Sequence, residues 1–326
     1  MSLHNHKADI SRWARLRTWC IGLLLLAGLI LIVTHLGELE QFTILVRQAE
    51  PTWLVLALLL QMATYVSVSA VWYVPLRQAG QQVSFWSLIP LGVAKLFADQ
   101  SMPSGGMSGT AFFIAALNRR GIPDHLCMAI LILSLVAYYG AYLLAAVTAV
   151  LLLYFHHGLN SWIVLVALLF SLVALGTPAV ALWLRSLGEK KLPRLLLMVP
   201  GLSNLMKAIA DAPGELLHNP ILILLTTFFH AAVFVLDAST LWVMMQVVGV
   251  HASFWTAFPS FVFASMVATI GPIPLGLGTF EVTCVSMLGT MGVPLEAALS
   301  ATVLLRGFTL WLPMVPGMWL VRWALR

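Results

Sequence analysis

The chain has 326 residues, 61% of them hydrophobic and 9% charged, with a mean hydropathy of +0.97. Soluble domains are about one quarter charged, so a water-soluble fold is excluded. The net charge of +5 suits a basic membrane face, and its cations lie scattered between apolar runs. They form no aromatic-interleaved basic patch of the kind that binds nucleic acid, so no nucleic-acid partner is expected.

A spanning helix needs about 20 apolar residues. The first such run, Trp19–Leu36, follows Lys7, Arg12, Arg15 and Arg17 and reads as a signal anchor. Thr52–Leu76 is the second. Phe85–Ala98 is about 21 Å long, too short to cross a core of about 30 Å. It runs into the helix-breaking sequence Asp99–Thr110, and a short apolar piece then ends at Asn118-Arg119-Arg120. Leu126–Phe155 and Trp162–Leu184 are the third and fourth spans. Next comes a polar cytoplasmic segment, 186–219, with Pro193, Pro200 and Pro213, expected to include a short interfacial helix. Ile221–Val248 is the fifth span. Phe254–Ile270 then repeats the short-run pattern, entering the break Gly271–Glu281 before a piece that ends near Met291. Leu295–Val321 completes six.

Irregular backbone at membrane depth survives where protein buries it or a wet cavity adjoins it. The two short runs are therefore read as re-entrant helical hairpins, with paired short crossings as the alternative of equal parity. The predicted fold class is all-α: a polytopic bundle of about six spanning helices plus two hairpins, as one domain over residues 1–326. With the N-terminus cytoplasmic, every Lys and Arg except Arg47, Lys95 and Arg306 falls in a cytoplasmic segment. That asymmetry obeys the positive-inside rule and puts both termini in the cytoplasm of a bacterial-type inner membrane.

Placing residue n over residue n+169 aligns Pro51–Thr110 with Pro220–Thr279 without a gap. Gly80, Ser84, Phe85, Trp86 and Pro90 match Gly249, Ser253, Phe254, Trp255 and Pro259. Three crossings separate the two starts, so the copies, roughly 51–155 and 220–322, point in opposite directions. Inverted repeats with broken helices meeting near the midplane are a transporter plan. Duplication kept for packing alone is the plainer alternative.

Charges at bilayer depth are costly and are functional candidates by default. There are five: Lys95, Asp99, Asp237, Glu281 and Arg306. Lys95 and Asp99 share a helix face, being four apart, and Glu281 is expected to pair with Arg306. Asp237 is then left without a cation, as a protonatable coupling group, with His230 seven residues before it and able to face the same way; a hydrogen-bonded polar core position is the alternative for each. Gly105 and Gly106 in the first break, and Gly276 and Gly278 in the second, let backbone approach a ligand closely. With Lys95 and Arg306 they would bind an anionic or phosphate-bearing headgroup; internal ion pairing and tight helix packing are the alternatives. No hydrolase, Walker or metal-binding motif is present, so no catalysis, metal or cofactor is expected. The cysteines, Cys20, Cys127 and Cys284, read as small hydrophobes.

Two runs resemble a known family: MPSGGMSGTAFFIAALNRRGIP (Met102–Pro123) and GPIPLGLGTFEVTCVSMLGTMGVPLEAALSATVLLRG (Gly271–Gly307). They are similar to the lysylphosphatidylglycerol synthase transmembrane region, or flippase-like domain, family. The resemblance rests on Pro274, Leu277, Gly278 and Glu281, then Gly292-Val293-Pro294, then Arg306. The first hairpin departs from the family, with Thr110, Phe112 and Phe113 where members often carry an acid and then an Arg. The resemblance implies the lipid-translocating part and not the aminoacyltransferase. It implies a membrane lipid as the partner, moved between leaflets. A secondary transporter of a small organic anion, and a non-transporting partner of a lipid-modifying enzyme, are the alternatives.

Overall fold

The computed structural model describes residues 43–47, 49–101, 107–155, 158–187, 212–271, 273 and 276–324. The expected span Trp19–Leu36, Gly105, Gly106 and most of the segment 186–219 lie outside them. The chain divides into two compact units, Met1–Gln48 and Ala49–Arg326, and the elements below belong to the second. Among the described residues every regular element is helical.

Ten helices matter to the site. They are α1 (Pro51–Gln78), α2 (Phe85–Ser101), α3 (Met107–Asn118), α4 (Asp124–Phe155), α5 (Ser161–Leu187), α6 (Pro220–Val247), α7 (Phe254–Ile270), α8 (Thr279–Thr290), α9 (Leu295–Arg306) and α10 (Leu312–Ala324). A π-helical turn, Gly307–Trp311, joins α9 to α10. Helices α1, α4, α5, α6 and the run Leu295–Arg322 are each long and apolar enough to cross a membrane. Trp162, Leu168, Leu172, Leu175 and Trp183 of α5 are all exposed. So large an apolar surface is untenable in water and ordinary against lipid.

The element lengths recur: α1, α2 and α3 have 28, 17 and 12 residues, and α6, α7 and α8 have 28, 17 and 12. Both long helices start with Pro at the first turn, where a missing N–H costs nothing. The Asn219 side chain also caps α6 by accepting from Ile221 N (3.1 Å) and Leu222 N (3.2 Å). Both end in the same left-handed glycine turn. Gly80 (φ +77°) and Gly249 (φ +78°) donate to Arg77 O and Gln246 O. The next residues, Gln81 and Val250, reach back to Leu76 O and Met245 O, satisfying the last-turn carbonyls.

Packing interleaves the halves. Helix α1 lies along α6, α10 lies on α2, and α4 contacts α7. Leu88, Leu91, Phe113, Leu117, Ile130 and Leu133 form a core among α1 to α4, with the Trp72 and Phe113 rings 4.3 Å apart. Helix α10 approaches α2 so closely at Gly317 that a Cβ there would stand 2.5 Å from Phe97 Cβ.

Both helix breaks are shorter than expected. Helix α2 continues through Asp99 to Ser101, because Asp99 pairs with Lys95 one turn back. Helix α8 starts at Thr279. Glu281 therefore sits in a first helical turn, where a negative charge is favoured.

Gly317→Leu is expected to push α10 off α2 and to destabilise the protein by about 1–3 kcal/mol, the usual cost of overpacking. Thermal melting of the detergent-solubilised chain would read this; an unchanged melting temperature would contradict the close approach.

Candidate functional site

A cavity of about 220 Å³ opens among α1, α2, α6 and the π-helical turn. Helix α1 supplies Gln61, Thr64, Tyr65, Val68 and Trp72, spaced three or four apart so that one face lines the wall. Helix α2 supplies Gly92, Lys95, Leu96 and Asp99 by the same spacing. Val233 and Asp237 come from α6, and Thr309 from the π turn, a feature often found at functional sites. A larger groove of about 470 Å³ lies between α1 and α6 near the start of α7, lined by residues such as Leu56, Leu60, Trp242 and Phe254. It contains no titratable side chain. The smaller, charged cavity is therefore the candidate site.

Its charged groups are held as follows. Lys95 Nζ lies 2.8 Å from Asp99 Oδ2, with the two side chains 23% and 16% exposed. The other carboxylate oxygen, Oδ1, accepts from the backbone N–H of Gly109 at 2.8 Å. Ser108 Oγ donates to Ala98 O, also at 2.8 Å, so α3 is tied to the end of α2 at two adjacent residues. Asp237 Oδ1 accepts from Thr64 Oγ1 at 3.3 Å, and Gln61 Nε2 donates to Thr240 Oγ1 at 3.3 Å. The Tyr65 hydroxyl is buried with no hydrogen-bond partner, although the residue lines the cavity. The walls thus carry one ammonium, two carboxyl groups, an amide and three hydroxyls in an otherwise apolar setting.

Arg306 and Glu281 form a separate centre. Arg306 Nε donates to Glu281 Oε1, and the guanidinium lies 4.8 Å from the Phe280 ring centroid. Their side chains are 8% and 14% exposed, and neither residue lines the cavity. The expected single set of headgroup ligands is thus divided: Lys95 and Asp99 face the cavity, whereas Arg306 and Glu281 brace α9 against α8. His230 is likewise apart from Asp237. Its Nε2 is 3.1 Å from Ser134 Oγ and its ring meets Tyr138 edge-on at 5.4 Å. Helix α6 packs against both α1 and α4, and the two side chains engage different neighbours despite their seven-residue spacing.

The glycines have local reasons to be glycine. Gly276 (φ +64°) would put a Cβ 2.3 Å from Ala268 Cβ, and Gly278 (φ +80°) precedes the first turn of α8. Gly109 was not among the expected site residues. A Cβ there would fall 2.3 Å from the Asp99 carboxylate. Its sequence signal is its alignment with Gly278 at n+169. Gln61, Thr64 and Tyr65 also belong to the site, and their signal is three polar residues on one face of an apolar span.

The halves differ in chemistry at matching places. At n+169, Lys95 and Asp99 correspond to Ala264 and Ala268. Aromatic rings gather beside that part of α7 instead: the Tyr142 hydroxyl lies 3.3 Å from Thr269 Oγ1, with the Phe170 and Phe234 rings 4.3 and 4.5 Å from the Tyr142 ring. Among the described residues no cluster of three or more His, Cys, Asp or Glu could hold a metal.

The fold and this site define a multi-pass helical membrane protein with a charged cavity between its long helices. Its sequence matches the model of the lysylphosphatidylglycerol synthase TM region over residues 19–317, and the chain belongs to that family. No similar curated protein was found.

Two outcomes follow from this geometry. Tyr65→Phe removes a hydroxyl that bonds nothing, so it is expected to be neutral within about 0.5 kcal/mol or stabilising; a loss above about 1 kcal/mol in thermal melts would mean the hydroxyl is already partnered. Arg306→Met is expected to cost about 3–5 kcal/mol by stranding a buried carboxylate, and Glu281→Leu added to it should recover at least about half of that loss.

Proposed function

We propose that the protein moves an amphipathic lipid between the leaflets of the cytoplasmic membrane, with both termini on the cytoplasmic side. The headgroup passes through the charged cavity while the tail stays in the bilayer. The observation that carries this reading is the position of the cavity: Gln61, Thr64 and Tyr65 stand near the middle of α1, and Asp237 near the middle of α6. Charges at that depth are costly without a function or a wet environment, and a travelling headgroup needs polar partners there.

The α2–α3 and α7–α8 pairs support the reading. At 1.5 Å per residue their arms are about 26 Å and 18 Å long, short of a hydrocarbon core of about 30 Å. They act as re-entrant hairpins entering from opposite sides, within two inverted copies that rock about the cavity. Lys95 binds the phosphate. Asp237 exchanges a proton, or receives a headgroup amine, since the cavity holds more carboxyl groups than cations. Arg306 and Glu281 keep α8 and α9 in register, and no covalent step is involved. A second reading is favoured by the size of the cavity. About 220 Å³ also suits a small organic anion carried without a tail.

Proteoliposomes containing the purified full chain and a headgroup-labelled phospholipid would test this through a membrane-impermeant quencher. The wild type is expected to expose inner-leaflet label that empty vesicles keep protected. Lys95→Gln and Asp237→Asn should each slow this by about tenfold or more, equivalent to about 1.4 kcal/mol of barrier. A folded wild type that moves no lipid, or variants that match its rate, would overturn the proposal.

A further inference from the structure

We propose that Asp99 is a tethered stand-in for the substrate's phosphate, occupying the anion position between Lys95 and the first turn of α3 until a headgroup displaces it. This rests on reading the cavity as a headgroup site.

The first-turn N–H groups of a helix have no intrahelical acceptor, and the helix dipole favours negative charge beside them. Gly109 is the third residue of α3, and its N–H is given to one oxygen of Asp99 while the other oxygen takes the Lys95 ammonium, each at 2.8 Å. A lysine on one oxygen and a helix start on the other is the coordination that suits a phosphate. The carboxylate is held so close that a Cβ at position 109 would stand 2.3 Å from it. Glycine here leaves room for an anion.

Tyr65 points independently to a ligand. It is 9% exposed, lines the same cavity, and its buried hydroxyl has no acceptor. A phosphate drawn to Lys95 brings additional oxygens into the cavity, and one of them supplies that acceptor. Among the described residues of the other half there is no such arrangement. The residue matching Asp99 is Ala268, and Gly276 packs directly against it. One half therefore carries a resident anion, and the headgroup must compete with it. Competition of this kind keeps binding weak enough for release, which a translocated ligand requires.

D99N separates the charge from the scaffold, because the Asn side-chain oxygen can still accept from Gly109 while Lys95 is freed. Short-chain phosphatidylglycerol would be titrated onto the detergent-solubilised full chain, with inorganic phosphate as a second arm. D99N is expected to bind the lipid about tenfold more tightly than the wild type, the scale of one charge-assisted hydrogen bond. Adding Lys95→Gln should abolish the gain, and adding Tyr65→Phe should reduce it. If D99N elutes aggregated, D99S keeps a short acceptor and serves in its place. A folded variant that binds lipid no more tightly, or a gain that survives Lys95→Gln, overturns the inference even if the wild type flips lipid. An equal gain for inorganic phosphate supports the stand-in and points to free phosphate as the source. A gain beside a wild type that moves no lipid sustains the stand-in and removes the transport reading.

Discussion

One carboxylate joins three parts of this protein. Asp99 neutralises Lys95 one turn back on its own helix, accepts the first-turn N–H of Gly109 on the returning helix, and stands in the wall of the cavity. In a medium that cannot solvate charge, an ion pair has to find its remaining hydrogen bonds within the protein. That requirement explains why α2 runs on to Ser101, why α3 returns against its end, and why position 109 has no side chain. The cavity is what remains between that pair and the polar face of α1.

A repeated scaffold with unequal side chains follows the same logic. Helices of 28, 17 and 12 residues occur twice, with the same glycine turns closing the first of each set. Backbone geometry of this kind depends on a few prolines and glycines and survives wide change elsewhere. Charges stand at two positions of α2 where α7 has alanines, and aromatic rings gather beside α7. The second half spends its own buried charges differently, with Arg306 and Glu281 tying α9 to α8 under the Phe280 ring. Among the described residues, the repeated frame thus carries its charged cavity on the Lys95 and Asp99 side alone.

Much of the fold was legible because the bilayer simplifies the code. Apolar run length located α1, α4, α5, α6 and the final span to within three residues at every end, and Phe254–Ile270 matched α7 at both ends. Spacing of four identified the Lys95–Asp99 pair, since a helix face is a local property. The Arg306–Glu281 pair could be anticipated from charge balance at bilayer depth. Which neighbour a helix face meets is not local. His230 and Asp237 share a face by spacing, yet one reaches α4 and the other α1. For the same reason Arg306 and Glu281 were grouped with Lys95 although they line a different part of the bundle. Tyr65 and Gly109 were missed because a tyrosine in an apolar helix and a glycine in a glycine-rich break look ordinary until their partners are known.

The central claim is that the cavity around Lys95, Asp99 and Asp237 receives a lipid headgroup. The most direct measurement is an electron cryomicroscopy structure of the full chain in nanodiscs containing phosphatidylglycerol. The account predicts a phosphate within hydrogen-bonding distance of Lys95 and Tyr65, with the acyl chains leaving the cavity towards the bilayer. A headgroup bound instead at Arg306, or a cavity that holds nothing but water at saturating lipid, would contradict it.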